Sequence, residues 1–369
     1  MKRNGYIDFI KFFFAIMVAE FHLKSGIFLN GRLAVEGFFI ISGFLMMKTI
    51  EKQNRASAEL LQPSLARSTA SFLWRKYVAL FYYLIPAILV GFIVNSLHKQ
   101  IGFVENLQRI PMLIFEVFPL RLLGVKGTFV LGVSWYFCAM FAALAILYPC
   151  CKKFKSGFSS FGCLMISAVC YGTLAHHYGH LALVGEYFAN GLINVGIVRG
   201  VAGCSLGCVL YELSKVVANK KPTTLARVLF TILELGSFAY FIYVAHNKAD
   251  VYAYLAIVSI FIFLFIGING LSFTSYLWNP KWTKPLGTMS TLIVVSHYYW
   301  VYYLKKLLGK NFMFTPQVLW YVLAVALTCV VVYILGVLLK KLCAKLSKVK
   351  LWKKPEENEN GDTHGQSVQ

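Results

Sequence analysis

The chain has 369 residues, of which 58% are hydrophobic and 14% charged, and its net charge is +21. This composition excludes an ordinary soluble domain and indicates a polytopic membrane protein. The basic residues lie between apolar runs rather than in one patch. That distribution is typical of charges that fix membrane orientation, so we expect no nucleic-acid partner.

The apolar runs predict an all-α fold, a polytopic bundle of about ten transmembrane helices. Each run is about 20 residues long, enough for a helix to cross about 30 Å of hydrocarbon, and none shows strand alternation. Lys and Arg favour one set of connections, so both termini are predicted to be cytoplasmic. Residues 1–345 form one transmembrane domain in this interpretation, and residues 346–369 form a polar, disordered cytoplasmic tail. The predicted spans are 6–25, 33–50, 77–96, 130–149, 158–175, 191–213, 225–245, 251–271, 286–304 and 317–339.

Two long connections separate these spans. Residues 51–71 form a polar cytoplasmic linker, and residues 97–129 form an outer segment with apolar stretches. The outer segment is expected to lie in the membrane interface or to line a cavity.

The nine cysteines lie mostly inside apolar runs, and none forms a C-x-x-C pair. We interpret them as small packing residues and predict no metal site. His176, His177 and His180 have spacings that could hold a metal, but no carboxylate or cysteine stands near them in the sequence, so a solvated loop is the favoured interpretation.

The first predicted helix contains the run KFFFAIMVAEFH. At 100° per residue, Lys11 and His22 share one face, about 16 Å apart along the axis, whereas Glu20 lies on the opposite face. Asp8 lies three residues before Lys11, within reach for an ion pair. These groups are either a snorkelling pair and a headgroup-level histidine, or a functional site, since ionisable groups at membrane depth are costly.

The next span begins GRLAVEGFFIISGFLM and carries Glu36. A carboxylate at the level of His22 could accept one imidazole N–H and leave the other nitrogen free as a base.

The order Lys11, ten residues, His22, then GRLAVEGFFIISGFL resembles the start of the acyltransferase-3 family of integral membrane acyltransferases. The segments FLWRKYVALFYYLIP, VSWYFCAMFAALAILYP, IVRGVAGCSLGCVLYEL and STLIVVSHYYWVYYL are similar, in order, to later parts of that family. The resemblance covers roughly residues 6–340. Lys11, Ala79 and Tyr82 depart from the arginines and proline usual at these places, and Lys11 loses the bidentate grip of a guanidinium.

The resemblance implies transfer of an acyl group, most often acetyl, from a cytoplasmic acyl-CoA such as acetyl-CoA to a hydroxyl of an extracytoplasmic or lipid-linked glycan. It implies no permanently bound cofactor. In this hypothesis His22 is the general base and Glu36 orients its ring. Lys11 meets the CoA phosphates or the thioester oxygen, and Arg75 with Lys76 binds the phosphates; orientation charge is the alternative for those two residues.

Four further residues are predicted to bind substrate: Trp135 and Tyr136, which could stack on a sugar ring, together with Arg199 and His297. An aromatic belt and an outer-interface arginine are the alternatives for the first three. Glu186 and Glu212 are the predicted partners of Arg199, and Ser42 is either a covalent acyl carrier or a packing residue.

The predicted protein is a multi-pass protein of a cell membrane, of the bacterial plasma-membrane type, with membrane lipid, acyl-CoA and a glycan as partners; homo-oligomerisation stays open. The rival hypothesis is a transporter of a lipid-linked or small anionic solute that uses Lys11, His22 and Arg199 as its pathway.

Overall fold

The computed structural model describes residues 3–56, 64–125, 127–179, 181, 186–188, 191, 193–218, 220–247, 252–308 and 316–346. The predicted tail lies outside the described residues, apart from its first residue. Most described residues are helical. The elements are α1 (Gly5–Leu23), α2 (Ala34–Ala56), α3 (Leu65–Lys99), α4 (Phe103–Arg109), α5 (Ile114–Val117), α6 (Ser134–Gly157), α7 (Cys163–Tyr178), β1 (Tyr187–Phe188), β2 (Ile193–Asn194), α8 (Val195–Val217), α9 (Thr224–His246), α10 (Ala253–Asn269), α11 (Pro280–Ser296), α12 (Tyr298–Leu308) and α13 (Pro316–Leu346).

Within the described residues, six helical stretches are long and apolar enough to cross a membrane. One of them, Ser134–Tyr178, includes both α6 and α7, which are joined through a break at Lys155. The chain is therefore a multi-pass membrane protein with a mainly helical fold. The number of about ten crossings and the side on which each end lies stay predictions.

Two helices begin or end well inside the predicted polar linker. α3 begins at Leu65, twelve residues before the predicted start, because the Ser64 side chain accepts the Arg67 backbone N–H at 3.3 Å and caps the helix. α2 continues to Ala56. Hydropathy marks where a helix enters the apolar layer rather than where the helix begins, so both boundaries were wrong.

α2 and α8 pack side by side in parallel, with glycines at the contact. A Cβ on Gly203 would lie 2.6 Å from Phe39 Cβ, and one on Gly43 would lie 1.9 Å from the Cys204 carbonyl oxygen. A Cβ on Gly207 would lie 2.1 Å from the Ile40 carbonyl oxygen. Small residues four apart on one face allow backbones to approach closely in a membrane. This contact brings the first turns of α2 and α8 to the same level.

α1 packs in parallel against α11. Ser290 Oγ donates to the Lys11 carbonyl at 2.9 Å, and a Cβ on Gly287 would lie 2.2 Å from Asp8 Oδ1. The predicted ninth span is in fact two helices, because α11 ends at Ser296 and α12 begins at Tyr298. His297 therefore lies at a helix junction next to α1.

The connection between α3 and α6, the predicted outer segment, is held against the start of α6. Glu116 is buried and accepts the backbone N–H groups of Val130 and Leu131 at 2.7 and 2.9 Å. Arg121 donates to the Leu131 carbonyl at 3.1 Å. The preceding helix α4 exposes Phe103 and other large apolar side chains, as expected for a segment at the membrane interface.

Candidate active site

A cavity of about 530 Å³ lies among α1, α2, α6, α8, the α11–α12 junction and the outer connection. Its volume is in the range of small-ligand sites. The outer segment lines a cavity as expected, through Arg121 and Leu122. The side chains that give the cavity its polar and aromatic character are His22, Arg32, Arg121, Trp135, Tyr136, Tyr187, Asn194, Arg199 and Tyr298. Four of the predicted site residues, His22, Trp135, Tyr136 and Arg199, are thus brought together.

The His22 ring is held by two contacts at Nδ1. Nδ1 lies 2.8 Å from the Val18 carbonyl oxygen and 3.2 Å from Nε2 of His297. His297 is in turn fixed by its own Nδ1, which lies 2.9 Å from the Ile293 carbonyl oxygen. The Tyr298 ring packs edge-on against His22 with centroids 5.0 Å apart.

These contacts assign the tautomers. A carbonyl oxygen only accepts hydrogen bonds, so Nδ1 of both His22 and His297 carries the hydrogen. Nε2 of His297 is then an acceptor for the His22 Nδ1–H group. The remaining nitrogen, Nε2 of His22, has no hydrogen-bond partner among the residues that the structure describes, and His22 lines the cavity. An imidazole with an available lone pair can act as a general base.

The prediction that Glu36 orients His22 is wrong in this structure. Glu36 is fully buried, and Nε and Nη2 of Arg199 lie 2.8 and 2.6 Å from its Oε1. The Tyr171 hydroxyl donates to Oε2 at 2.5 Å. The Arg199 guanidinium pairs with the Glu36 carboxylate because a buried charge is strongly destabilising unless it is paired with a charge of opposite sign. His297 takes the place beside His22 that was predicted for Glu36.

The same contact corrects the predicted partners of Arg199. Its carboxylate partner is Glu36, not Glu186 or Glu212, and its guanidinium also lies 5.4 Å from the centre of the Trp135 ring. The sequence carried a signal for this pair, because the α8 face RGVAGCSLG repeats glycine every four residues from Arg199. That face predicts close packing against another helix, and α2 carries the buried acid.

Trp135 and Tyr136 lie in the first turn of α6. Both line the cavity, and Tyr136 packs against Phe39 with ring centroids 5.0 Å apart. Ser42 lies below them, 3.4 Å from the Tyr136 hydroxyl and 3.5 Å from the Met140 sulfur. Neither contact is a base that could activate a serine, so the geometry favours helix packing for Ser42.

The predicted donor-binding residues lie elsewhere in the bundle. Lys76 is within electrostatic reach of Lys11, and both are half-buried. Asp8 is paired with Arg3 rather than with Lys11. In the described part of the chain, neither lysine ammonium has a hydrogen bond or ion pair. Arg75 is exposed near Tyr148 and lies within α3, not before it.

Glu20 belongs to a different environment from Lys11 and His22, as the helical spacing predicts. It accepts the backbone N–H groups of Ile27 and Phe28 at 3.0 and 2.7 Å, together with the Ser25 hydroxyl. Glu20 therefore fastens the loop that follows α1.

Two groups of histidine or cysteine residues, which are common metal ligands, have positions that differ from the prediction. His176 and His177 lie in the last turn of α7 rather than in a loop, and His180 lies outside the described residues. Cys151, Cys163 and Cys208 come together, with all three sulfurs within 4.8 Å of one another. Sequence spacing does not reveal this cluster, since its members lie on three helices.

The cavity has a largely apolar wall that carries a histidine, three arginines and an asparagine, and it lies between helices of a multi-pass membrane protein. The acyltransferase-3 sequence model, described as an acyltransferase domain, matches residues 4–337. The match covers nearly the whole chain, so the chain belongs to this family and is a membrane acyltransferase. No curated protein and no solved structure matches the chain.

Proposed function

We propose that this acyltransferase transfers an acetyl group from cytoplasmic acetyl-CoA to a hydroxyl of a cell-surface or exported polysaccharide, with His22 as the general base. The observation that carries the proposal is the position of the His22 ring, whose Nδ1 lies 2.8 Å from the Val18 carbonyl oxygen and 3.2 Å from Nε2 of His297. Nε2 of His22 has no hydrogen-bond partner in the part of the chain that the structure describes, and His22 lines the cavity.

A sugar hydroxyl in the cavity donates its proton to Nε2 of His22 as its oxygen attacks the thioester carbon. A C–O bond forms and the C–S bond breaks. The CoA thiolate leaves and takes the proton back from His22, so the base is regenerated. His297 Nε2 accepts the Nδ1–H group throughout and stabilises the imidazolium that forms. No covalent carrier is needed in this sequence of steps.

The donor site is assigned to Lys11 and Lys76, with Arg75 at the more exposed entry. Neither ammonium group has a hydrogen bond or ion pair among the described residues, and the two groups lie within electrostatic reach of each other, so an anion that contacts both would be stabilised by two positive charges. The phosphates of CoA are such anions. Lys11 and His22 are separated by about 16 Å along α1, so the thioester must reach from the lysines toward the cavity.

The acceptor site is the cavity itself. Trp135 and Tyr136 offer ring faces to a sugar, and arginine and asparagine side chains offer hydrogen-bond donors to its hydroxyls. Tyr187 and Asn194, from the two short strands, complete this wall.

The test is acetyl transfer and acetyl-CoA hydrolysis by purified protein in detergent. His22→Ala is expected to lower the rate by about 10²- to 10⁴-fold, the usual contribution of a general base. His297→Ala removes one hydrogen bond to the base, so we expect a fall of about 5- to 10-fold with a shifted pH–rate profile.

His176→Ala is the matched control, because His176 is exposed at the end of α7 and should leave the rate unchanged. Size-exclusion profiles establish that each variant is folded. Full activity in a folded His22→Ala variant would refute the proposed base. Solute movement across sealed vesicles without acetyl-CoA consumption would support the transporter instead.

A further inference from the structure

Three cysteines form a buried cluster toward the ends of α6 and α8 that lie farther from the cavity. The sulfur of Cys151 is 4.0 Å from that of Cys163 and 3.9 Å from that of Cys208. All three residues are at most 1% exposed. Neither the proposed base nor the proposed donor site uses these residues.

The fold builds the cluster from three separate helices. Lys155 has φ 55° and ψ −145°, which breaks the helix and lets α7 follow α6 through a π-helical turn at Phe158–Gly162. Cys151 and Cys163 thus face each other across a hairpin. Cys208 completes the triangle from α8, which packs against both helices.

The size of this triangle fits a metal ion. A point equidistant from sulfurs with these separations lies about 2.3 to 2.5 Å from each of them, close to a metal–thiolate bond of about 2.3 Å. We propose that Cys151, Cys163 and Cys208 bind one soft, thiophilic cation of the Cu(I) type in a three-coordinate site.

The donor set selects this class of ion. Among the described residues, the group of close metal-type ligands contains these three thiols and no histidine or carboxylate. Structural zinc sites use four ligands, whereas soft thiolates select Cu(I) without requiring a fourth. The buried hydroxyl of Ser205 lies beside the sulfur of Cys163. A thiolate at Cys163 would accept a hydrogen bond from that hydroxyl.

Binding of the metal ion releases protons from the cysteine thiols. Each thiol that becomes a ligand gives its proton to solvent, no electron is transferred, and three thiolates with one monovalent cation leave a net negative charge. Lys152, Lys153 and Lys155 follow Cys151 in the chain and are the positive charges closest to it in sequence, whereas Glu212 on α8 lies within electrostatic reach of Cys163 and adds a negative charge. The bound ion would join α6, which carries Trp135 and Tyr136, to α8, which carries Arg199.

The experiment titrates fully reduced protein in detergent with Cu(I) held by a chromophoric chelator, without oxygen. The wild type is expected to take one equivalent per chain. Cys151→Ser, Cys163→Ser and Cys208→Ser are each expected to weaken binding at least 10-fold. Cys150→Ser is the matched control, because Cys150 is adjacent to Cys151 and half-buried but lies outside the cluster, and it should bind as the wild type does.

A measurement on the unaltered chain guards against misfolded variants. X-ray absorption at the copper edge should show about three sulfur neighbours at about 2.3 Å from the bound ion. Failure of the wild type to take Cu(I) from the chelator, or a copper environment without sulfur neighbours, would overturn the proposal. The outcome is independent of the acetyl-transfer assay, so the metal site and the proposed function can fail separately.

Discussion

The hydrogen bonds and the ion pair of the Glu36 carboxylate determine what this buried side chain can do. The side chain has 0% exposure and is bound by Arg199 and Tyr171. Removing one member of such a pair leaves the other charge buried without compensation, which costs about 3–5 kcal/mol. The first role of the ion pair between Glu36 and Arg199 is therefore to stabilise the contact between α2 and α8.

We predict that Glu36→Gln lowers the free energy of unfolding by about 3–5 kcal/mol. Glu51→Gln on the same helix breaks only an exposed pair with Arg55 and should cost about 0.3–0.5 kcal/mol. Thermal unfolding in detergent measures both. The double variant Glu36→Gln with Arg199→Gln should recover part of the loss, because no unpaired charge is left. Equal stability of Glu36→Gln and Glu51→Gln would contradict the buried pair.

At the residue scale, sequence reasoning found the members of the site better than their partners. Helical spacing separated Glu20 from Lys11 and His22, because that geometry is local to one helix. The partner of Glu36 depends on which helices pack together, and Arg199 is 163 residues away. His297 could be recognised as an unusual membrane histidine, but its contact with His22 follows only from the α1–α11 packing.

The close packing of α2 against α8 depends on the glycines at their contact. A Cβ at Gly43 would meet a backbone oxygen of α8, which cannot rotate away as a side chain can. Gly236 on α9 is the opposite case, since no atom of the described residues lies within 4 Å of the position where its Cβ would be.

Gly43→Ala is expected to destabilise the protein by about 1–3 kcal/mol or more through overpacking. Gly236→Ala should be neutral or stabilise by up to about 1 kcal/mol, since alanine is the better helix former. Unfolding midpoints of the two variants in one detergent make the comparison. A Gly43→Ala variant as stable as Gly236→Ala would show that α2 and α8 are farther apart than described.

Element positions were largely predictable, because apolar runs must become helices in lipid. The start of α3 and the break at His297 were not. The first lies in a polar segment where hydropathy gives no signal, and the second has no proline or glycine at the junction. The cysteine cluster was missed for another reason, since residues 12 and 57 positions apart form no sequence motif.

For the whole molecule, the proposed reaction depends on sidedness, because the donor lies on one side of the membrane and the base near the other. The distribution of Lys and Arg predicts both termini in the cytoplasm. The connection between α3 and α4 should then lie outside.

An alkaline phosphatase reporter inserted at Gly102 should therefore be active, because the enzyme works only outside the cytoplasm. Gly102 is suited to the insertion because a Cβ there would have no described atom within 4 Å. The same reporter fused after residue 369 should be inactive. The reverse pattern would place the lysines and the base on the wrong sides for the proposed donor and acceptor.

The long sequence separations within the site have a consequence for biosynthesis. Arg199 follows Glu36 by 163 residues, and His297 follows His22 by 275. At a synthesis rate of about 5–20 residues per second, α2 waits roughly ten to thirty seconds for the arginine that neutralises its carboxylate. During that interval Glu36 must stay beside water or in the insertion machinery to avoid an unpaired charge in lipid. The enzyme is thus most vulnerable to quality control while only its first helices exist, before the ribosome has made the other half of the site.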